Sequence, residues 1–451
     1  MAEKEKARKK PYTSLVLLFC SLGLALSANS LELPEARHLA LRAGFGLDTS
    51  AMEKLKPLSR KQAIESFLSA KKQQLAAPAC IEKTTPPKAE RREWDNAQSQ
   101  AYIRLAINCT EELRQRYVEK LIAAPSPLNE RMTLFWHNHF TSSSVKVRSS
   151  AQIYGQHRLL SSNALGNFRV MLHSILNDPA MLDYLDNTNN AKDSPNENLA
   201  RELLELFTLG EGQYTERDIK EAARALTGQS ISREGYGTHF YPEQHDFGEK
   251  NILGEKGHFG PEGLAELLLR QSQTARFITR KVWLEFVSEP DERELKRLAA
   301  RFGEDWDIAE LVRGVLLSDA FWADEGKMIK SPVELLVGTA RQLPGERFPI
   351  DSASKLLLRL GQPLFAPPNV KGWPTGLEWV DSSRMMLRVS FGERLTRGLA
   401  QETDEDDLEF LCAEGGPQRL AVMPPRMDVE HSDTCLAELA SLLVDPVWQL
   451  K

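Results

Sequence analysis

The chain has 451 residues, a formal net charge of −6 and 41% hydrophobic residues. That length exceeds what one hydrophobic core usually serves, so two lobes, or a core with appendages, are expected. No Lys/Arg block follows the first ten residues, which argues against nucleic-acid binding through phosphate neutralisation.

The chain opens with a basic stretch, Lys4, Lys6, Arg8, Lys9 and Lys10, followed by an apolar run, Leu15–Leu26. Ala25-Leu26-Ser27 is a small-x-small site, so residues 1–27 read as a signal peptide and Ala28 as the mature start. The run is short for a membrane span, and nothing downstream is long and apolar enough to replace it. An exported protein, periplasmic or extracellular and without a span once processed, is the expectation. Residues 1–27 carry +3 (five Lys/Arg against Glu3 and Glu5), which leaves −9 on the remainder.

Export makes disulfides available to Cys80, Cys109, Cys412 and Cys435. Pairing of sequence neighbours is the simplest of three schemes, and buried free thiols are the alternative.

Helical periodicity then dominates. Residues 28–94 read as an N-terminal helical segment (39–45 and 52–75) with a Pro/Lys linker. Residues 95–400 read as the main helical domain. Its helices are expected at 95–123, 129–140, 151–160, 168–177, 178–185, 195–209, 216–226, 264–270, 273–286, 292–302, 308–317 and 332–342, separated by Gly, Asn or Pro. Residues 229–261 break the pattern, being rich in Gly and aromatics, with Thr238–Tyr241 a candidate hairpin strand. Residues 401–451 read as an acidic linker and tail. The fold class expected is mainly α, a multi-helix globular body with one irregular, hairpin-bearing insertion.

The densest signal lies in MLDYLDNTNNAKDSPNENLARELLELFTLG, residues 181–210. Ser194, Pro195 and Glu197 spell a capping box with Pro at the first helical position, and Gly210 a left-handed stop. Leu199, Leu203, Leu206 and Phe207 form an apolar stripe. Asn196, Glu197, Asn198, Arg201, Glu202 and Glu205 are thereby concentrated on one helix.

RMTLFWHNHF (131–140), ALGNFR (164–169), DPAMLDYLDN (178–187), PNENLARELLELFTLG (195–210), YTERDIKEAARALTG (214–228), HDFGEK (245–250) and PPNVKGWPTGLEWVDS (367–382), with HLALRAGFG at 38–46, resemble the ordered blocks of one bacterial exported family. That family is catalogued as domain of unknown function (DUF) 1800. The resemblance spans about residues 35–395 and implies secretion and helical architecture, but no reaction. It also implies a partner, an exported protein of sulfatase-like appearance.

Three constellations are chemical candidates. On a helix His137 and His139 point about 200° apart, so they are no chelating pair. His139 reads as core and His137 as the better ligand or acid–base group. Asp186 to Glu197 carries oxygen donors at calcium-loop spacing, but Ala191 stands where such loops need Gly. The plainer reading is an Asx-rich turn with Glu197 paired to Arg201. Glu202, at the margin of the apolar stripe, is the preferred functional carboxylate. His245 and Asp246 in the irregular insertion form a third candidate, a metal-binding doublet.

The enzymatic reading is a metal-assisted hydrolase with His137, Glu202 and His245 catalytic. Its divalent ion would be held by His137, Asp186, Glu197, His245 and Asp246, with Asn196, Asn198 and Arg201 as binding residues. The alternative is a non-catalytic scaffold for a partner enzyme or cell-surface polymer, with Trp373 and Trp379 stacking on sugar rings or, more simply, capping a core. A shared site requires His137, Glu202 and His245 or Asp246 to converge in one cleft.

Overall fold

The computed structural model describes residues 30–84, 93–125, 127–232, 237–343, 350–402, 416–426 and 434–451. The signal-peptide cleavage site, Cys412 and the acidic run 404–409 lie outside them. The chain is mainly α, as its periodicity requires, and no helix among the described residues is long and apolar enough to cross a membrane.

Helix starts follow side-chain caps. Asp95 and Gln98 form a reciprocal capping box on α4 (Asn96–Ala123), and Asp178 caps α9 (Pro179–Tyr184) through the Met181 amide. Thr215 and Asp218 do the same for α11 (Glu216–Ala225), Ser331 and Glu334 for α17 (Pro332–Gln342). One expected helix divides. Residues 52–75 become α2 (Thr49–Leu55) and α3 (Arg60–Leu68), because Pro57 interrupts the first and Ser59 with Gln62 caps the second.

The larger hydrophobic cluster gathers α1 (Leu33–Gly44), α5 (Pro127–His139), α8 (Phe168–Ile175), α12 (Pro261–Arg270), α13 (Ser272–Phe286), α14 (Glu292–Asp305) and α15 (Ile308–Leu316). The second gathers α4, α17, α18 (Ile350–Leu360), α19 (Ser382–Glu402) and α20 (Cys435–Val444). Tyr184 packs against both clusters. Helix α5 feeds both, giving Met132 and Trp136 to the first and Leu134 to the second.

The expected tail is no appendage over residues 434–451. Leu439, Leu442, Leu443, Val447 and Trp448 are buried in the second cluster. Helix α20 lies on α19 at Gly392, where a Cβ would stand 2.8 Å from the Leu443 carbonyl oxygen. Tail-like composition in the preceding acidic run concealed an apolar helix that completes a core.

The insertion is more ordered than its sequence suggests. It makes two antiparallel hairpins, β1 (Gln229–Ile231) with β2 (Thr238–Phe240), and β3 (Lys250–Ile252) with β4 (Glu255–Gly257). The asparagine-rich loop holds it in place. The Asn187 side-chain amide donates to the Leu226 and Gln229 carbonyls, and that of Asn190 to the Ala223 carbonyl. Backbone bonds from Gly228 to Asn190 and from Lys192 to Gln244 close the joint.

Cys80 and Cys109 form a disulfide, the expected pairing of neighbours, and Cys435 is also disulfide-bonded. The first bond closes a separation of 29 residues. Loop-closure entropy then predicts that replacing both Cys80 and Cys109 with Ser lowers the unfolding free energy by about 3–4 kcal/mol. Urea unfolding of the wild type and the double variant, both without reductant, checks it, and equal midpoints would mean that the bond adds no stability.

Candidate functional site

The 181–210 segment folds differently from its capping pattern. Ser194 does not cap a helix; its backbone N–H turns back to the Ala191 carbonyl. Asn190 Oδ1 accepts from the Asn196 backbone and Asn196 Oδ1 from that of Asn198, so the helix α10 begins at Asn198 and runs to Glu202. Glu197 has no capping hydrogen bond. From Leu203 to Thr208 the chain continues as a π-helix, with the Leu209 amide reaching the Leu204 carbonyl at 2.9 Å and Thr208 Oγ1 the Leu203 carbonyl at 2.6 Å. Gly210 ends it at φ +88°, as its position predicts. Such wide turns are uncommon and concentrate at functional sites.

Leu199, Leu203 and Phe207 are buried, which aims Glu202 along the edge of the core. Glu202 is partly buried, and among the described residues its carboxylate has no hydrogen-bond or ion-pair partner. Burial raises its pKa, and the neighbouring Glu205 carboxylate adds to the rise, while Arg201 and Lys371 oppose it. Glu205 is itself engaged, accepting a hydrogen bond from the Tyr214 hydroxyl. Tyr184 completes the surroundings, its pKa raised by burial and then by the Glu202 charge.

The rim beside Tyr184 is polar. Lys146 lies 5.7 Å from the Tyr184 ring centre and pairs with Asp186 at 2.8 Å. Asp186, in the left-handed region at φ 58°, also accepts from the Asn198 amide at 3.1 Å. Lys371 reaches the site from the Pro367–Pro374 turn. That turn is locked on α5, where Asn138 Oδ1 accepts the Trp373 amide at 2.6 Å.

Four of the segments that carry the family resemblance therefore meet here, 131–140 through Asn138, 178–187, 195–210 and 367–382. Sequence reasoning singled out Glu202, Asn198 and Asp186. It missed Tyr184, Lys146 and Lys371, because their roles depend on long-range packing. The only sequence signal for Tyr184 and Lys371 was their presence in the resemblance blocks.

The remaining candidates separate. His137 is 6% exposed, burial takes its pKa down to about 3, and it hydrogen-bonds His157 at 3.1 Å beneath Phe365. It is a core histidine, not the accessible group expected of it; a helix packed on both sides has no solvent face for it. His139 points the other way, as helical geometry requires, to the Phe207 carbonyl at 3.1 Å. His245 is 5% exposed and its Nδ1 bonds the Thr227 carbonyl at 2.8 Å. Asp246 is held by Arg224 at 2.7 Å, which keeps its carboxyl below the usual range. Both fasten the insertion to α11. Glu197 pairs with Arg201 at 3.1 Å, the plainer expectation, and Arg201 also grips Glu216.

His137, Glu202 and His245 have separate sets of contacts, and no hydrogen bond or ion pair joins any two of them among the described residues. Among the described residues no three His, Cys, Asp or Glu side chains are grouped as a metal ion would need. Trp373 and Trp379 are 5% and 4% exposed, in keeping with a cap on the core rather than a surface sugar platform.

Gly372 makes the Trp turn testable. It has φ +93°, and a Cβ there would meet Asn138 Oδ1 at 2.1 Å and the Asn138 carbonyl oxygen at 2.7 Å. Gly372→Ala is expected to cost at least about 2 kcal/mol, from backbone strain plus displacement of the turn. The urea midpoint measures it, and an unchanged midpoint would mean that the turn is not locked on α5.

No curated protein and no solved structure matches the chain. A family model described as protein of unknown function (DUF1800) matches residues 38–449, which takes in the buried C-terminal helix as well as every segment around Glu202. The chain belongs to the DUF1800 family.

Proposed function

We propose that this is an exported hydrolase whose acid–base residue is Glu202. The observation that carries the reading is a partly buried carboxyl of raised pKa, without a hydrogen-bond or ion-pair partner among the described residues, beside a π turn at the junction of two cores. Most other acids near it are committed: Asp186 to Lys146, Glu197 to Arg201 and Glu205 to Tyr214. A carboxyl of raised pKa holds its proton to higher pH than an exposed one and gives it to a leaving-group oxygen as water attacks. The carboxylate left behind recovers the proton that the attacking water loses, and Lys371, which bears on Glu202, supplies positive charge for the oxyanion. The Cys80–Cys109 disulfide supports an oxidising compartment, in keeping with the basic and apolar first segment. The residues nominated for a divalent ion are each held by other groups, so the proposal is built on carboxylates.

The test uses wild-type protein and Glu202→Gln against nitrophenyl glycosides, carboxylic esters, phosphate esters and sulfate esters between pH 5 and 8. The expected result is turnover of one class by the wild type, falling as pH rises through the raised Glu202 pKa, and its loss in the variant. Linkage gives a second readout. A carboxyl whose folded pKa is raised above its unfolded value contributes stability that is full below the unfolded pKa and lost as pH rises through the folded one. Glu202→Gln should therefore match or exceed wild-type thermal stability at pH 7 while losing activity, the pattern of a residue kept for function. Equal turnover by both proteins overturns the assignment, as does no turnover by either.

The scaffold reading has one observation in its favour. Leu377, Val380 and Met386, around the end of the Trp turn, are 79%, 36% and 72% exposed. If this surface holds the sulfatase-like exported partner, Leu377→Asp with Met386→Asp should abolish co-elution of the two purified proteins and leave the fold intact.

A further inference from the structure

A second polar constellation lies on the other side of the Trp turn. A cavity of about 120 Å³ is lined by Arg131, Glu285, Glu334, Lys451, Trp373 and Trp379, among others. Its charged walls are deeply buried: the side chains of Arg131, Glu334 and Lys451 are 2%, 9% and 5% exposed. Arg131 Nη2 meets Glu334 at 2.6 Å and Glu285 at 2.9 Å, and Lys451 Nζ pairs with the same Glu334 oxygen. The buried side-chain acceptors in these walls are occupied. Glu334 also takes the Ser331 amide, Gln362 Oε1 the Val333 amide, and Asn138 Oδ1 the Trp373 amide.

The donors are not. Arg131 Nε and Nη1 and Trp373 Nε1 are buried without a hydrogen-bond partner among the described residues. A buried N–H left unpaired costs about 1–3 kcal/mol, more on a charged group. Three unpaired donors on residues lining one cavity, with no buried side-chain acceptor of the described lining residues left unpaired, call for an acceptor-rich occupant. The volume holds about four waters, or one small oxyanion.

We propose that the cavity beneath Trp373 binds a small oxyanion, a carboxylate, sulfate or phosphate group, on the free N–H groups of Arg131 and Trp373. The group is either a free ion or the anionic end of a larger molecule entering beside Leu284, which is 37% exposed at the cavity rim. The site rests on unpaired donors and not on Glu202, so either assignment can fail while the other stands.

Full-length mature protein is titrated with sodium acetate, sulfate and phosphate by calorimetry and thermal shift, with sodium chloride at matched ionic strength as the control. The expected result is saturable binding of at least one oxyanion, with a rise in melting temperature that follows its occupancy. Trp373→Phe keeps a ring and removes one donor, and should weaken binding about tenfold, the value of a hydrogen bond to a charged group. Glu285→Gln removes an anion-repelling carboxylate without opening the core, and should tighten binding; it answers the question if Trp373→Phe fails to fold. Binding of acetate but not the tetrahedral ions would assign a carboxylate end, and the reverse a sulfate or phosphate group. No saturable binding by any of the three overturns the proposal and leaves a water-filled cavity, as does binding that neither variant changes.

Discussion

The burial of Arg131 constrains the rest of the structure. A guanidinium removed from water is held charged here against its own burial, by Glu334 and Glu285. Glu334 is held ionised in turn: burial pushes its carboxyl up, and Lys451 and Arg131 outweigh that and keep it well below the usual range. Those partners lie on α5, α13, α17 and at residue 451, so one charge fixes the mutual placement of four distant segments. Removing the Glu334 carboxylate from this group is expected to cost about 3–5 kcal/mol, because Arg131 and Lys451 would lose their shared buried partner. An apolar core tolerates a shift of a few tenths of an ångström; this one does not. Residues 434–451 are for this reason as much a part of the body as the central helices.

Most helices are legible in the sequence. Asp95 with Gln98, Thr215 with Asp218 and Ser331 with Glu334 each announce a helix start, because the cap is a local contract between residues three apart. The same logic misleads at Ser194. Its spacing to Glu197 is right, but Asn187 and Asn190 are already spent on the carbonyls of residues 223, 226 and 229, and the loop they pull down leaves the helix to begin at Asn198. A tertiary requirement overrides a local one. The histidines show the same limit in another form. His245 lies in a segment that reads as loop, yet it is sealed between Phe240, Phe247 and Thr227. Nothing in the residues around it reveals that the loop folds into hairpins against α11. The Arg131–Glu334–Lys451 group was invisible for a simpler reason, since its members are 117 to 320 residues apart.

Glu202 was legible because two signals coincided on it, a polar residue at the edge of an apolar stripe and a place within a segment of unusual polar density. What the sequence did not show is why it is left without a partner. An α-helix would carry the stripe of Leu199, Leu203 and Phe207 forward at 100° per residue, and the residues after Glu202 would stay in step with those before it. The π turn adds a residue to the repeat. Leu203, Leu204, Phe207 and Thr208 are all buried, and Glu202 and Glu205 lie together at the margin of that face. Tyr214 takes Glu205. Nothing on the helix itself is left for Glu202, since Arg201 is drawn to Glu197 and Glu216.

The Trp turn connects this carboxyl to the cavity on its far side. Lys371 bears on Glu202 and Trp373 lines the cavity, and the residue between them is Gly372, the one position where the backbone passes against Asn138 too closely for any side chain. Asn138 precedes His139, which is anchored to the Phe207 carbonyl within the π turn. A displacement of the Trp turn by an occupant of the cavity would therefore be felt at Asn138, passed along α5 to the π turn, and reach Lys371 directly. The two sites share a rigid connection only a few residues long, made of a glycine that cannot be replaced, an asparagine that holds it and a histidine buried among aromatic rings. A packed link of that kind transmits small shifts rather than absorbing them. The carboxyl and the cavity therefore belong to one connected piece of the fold.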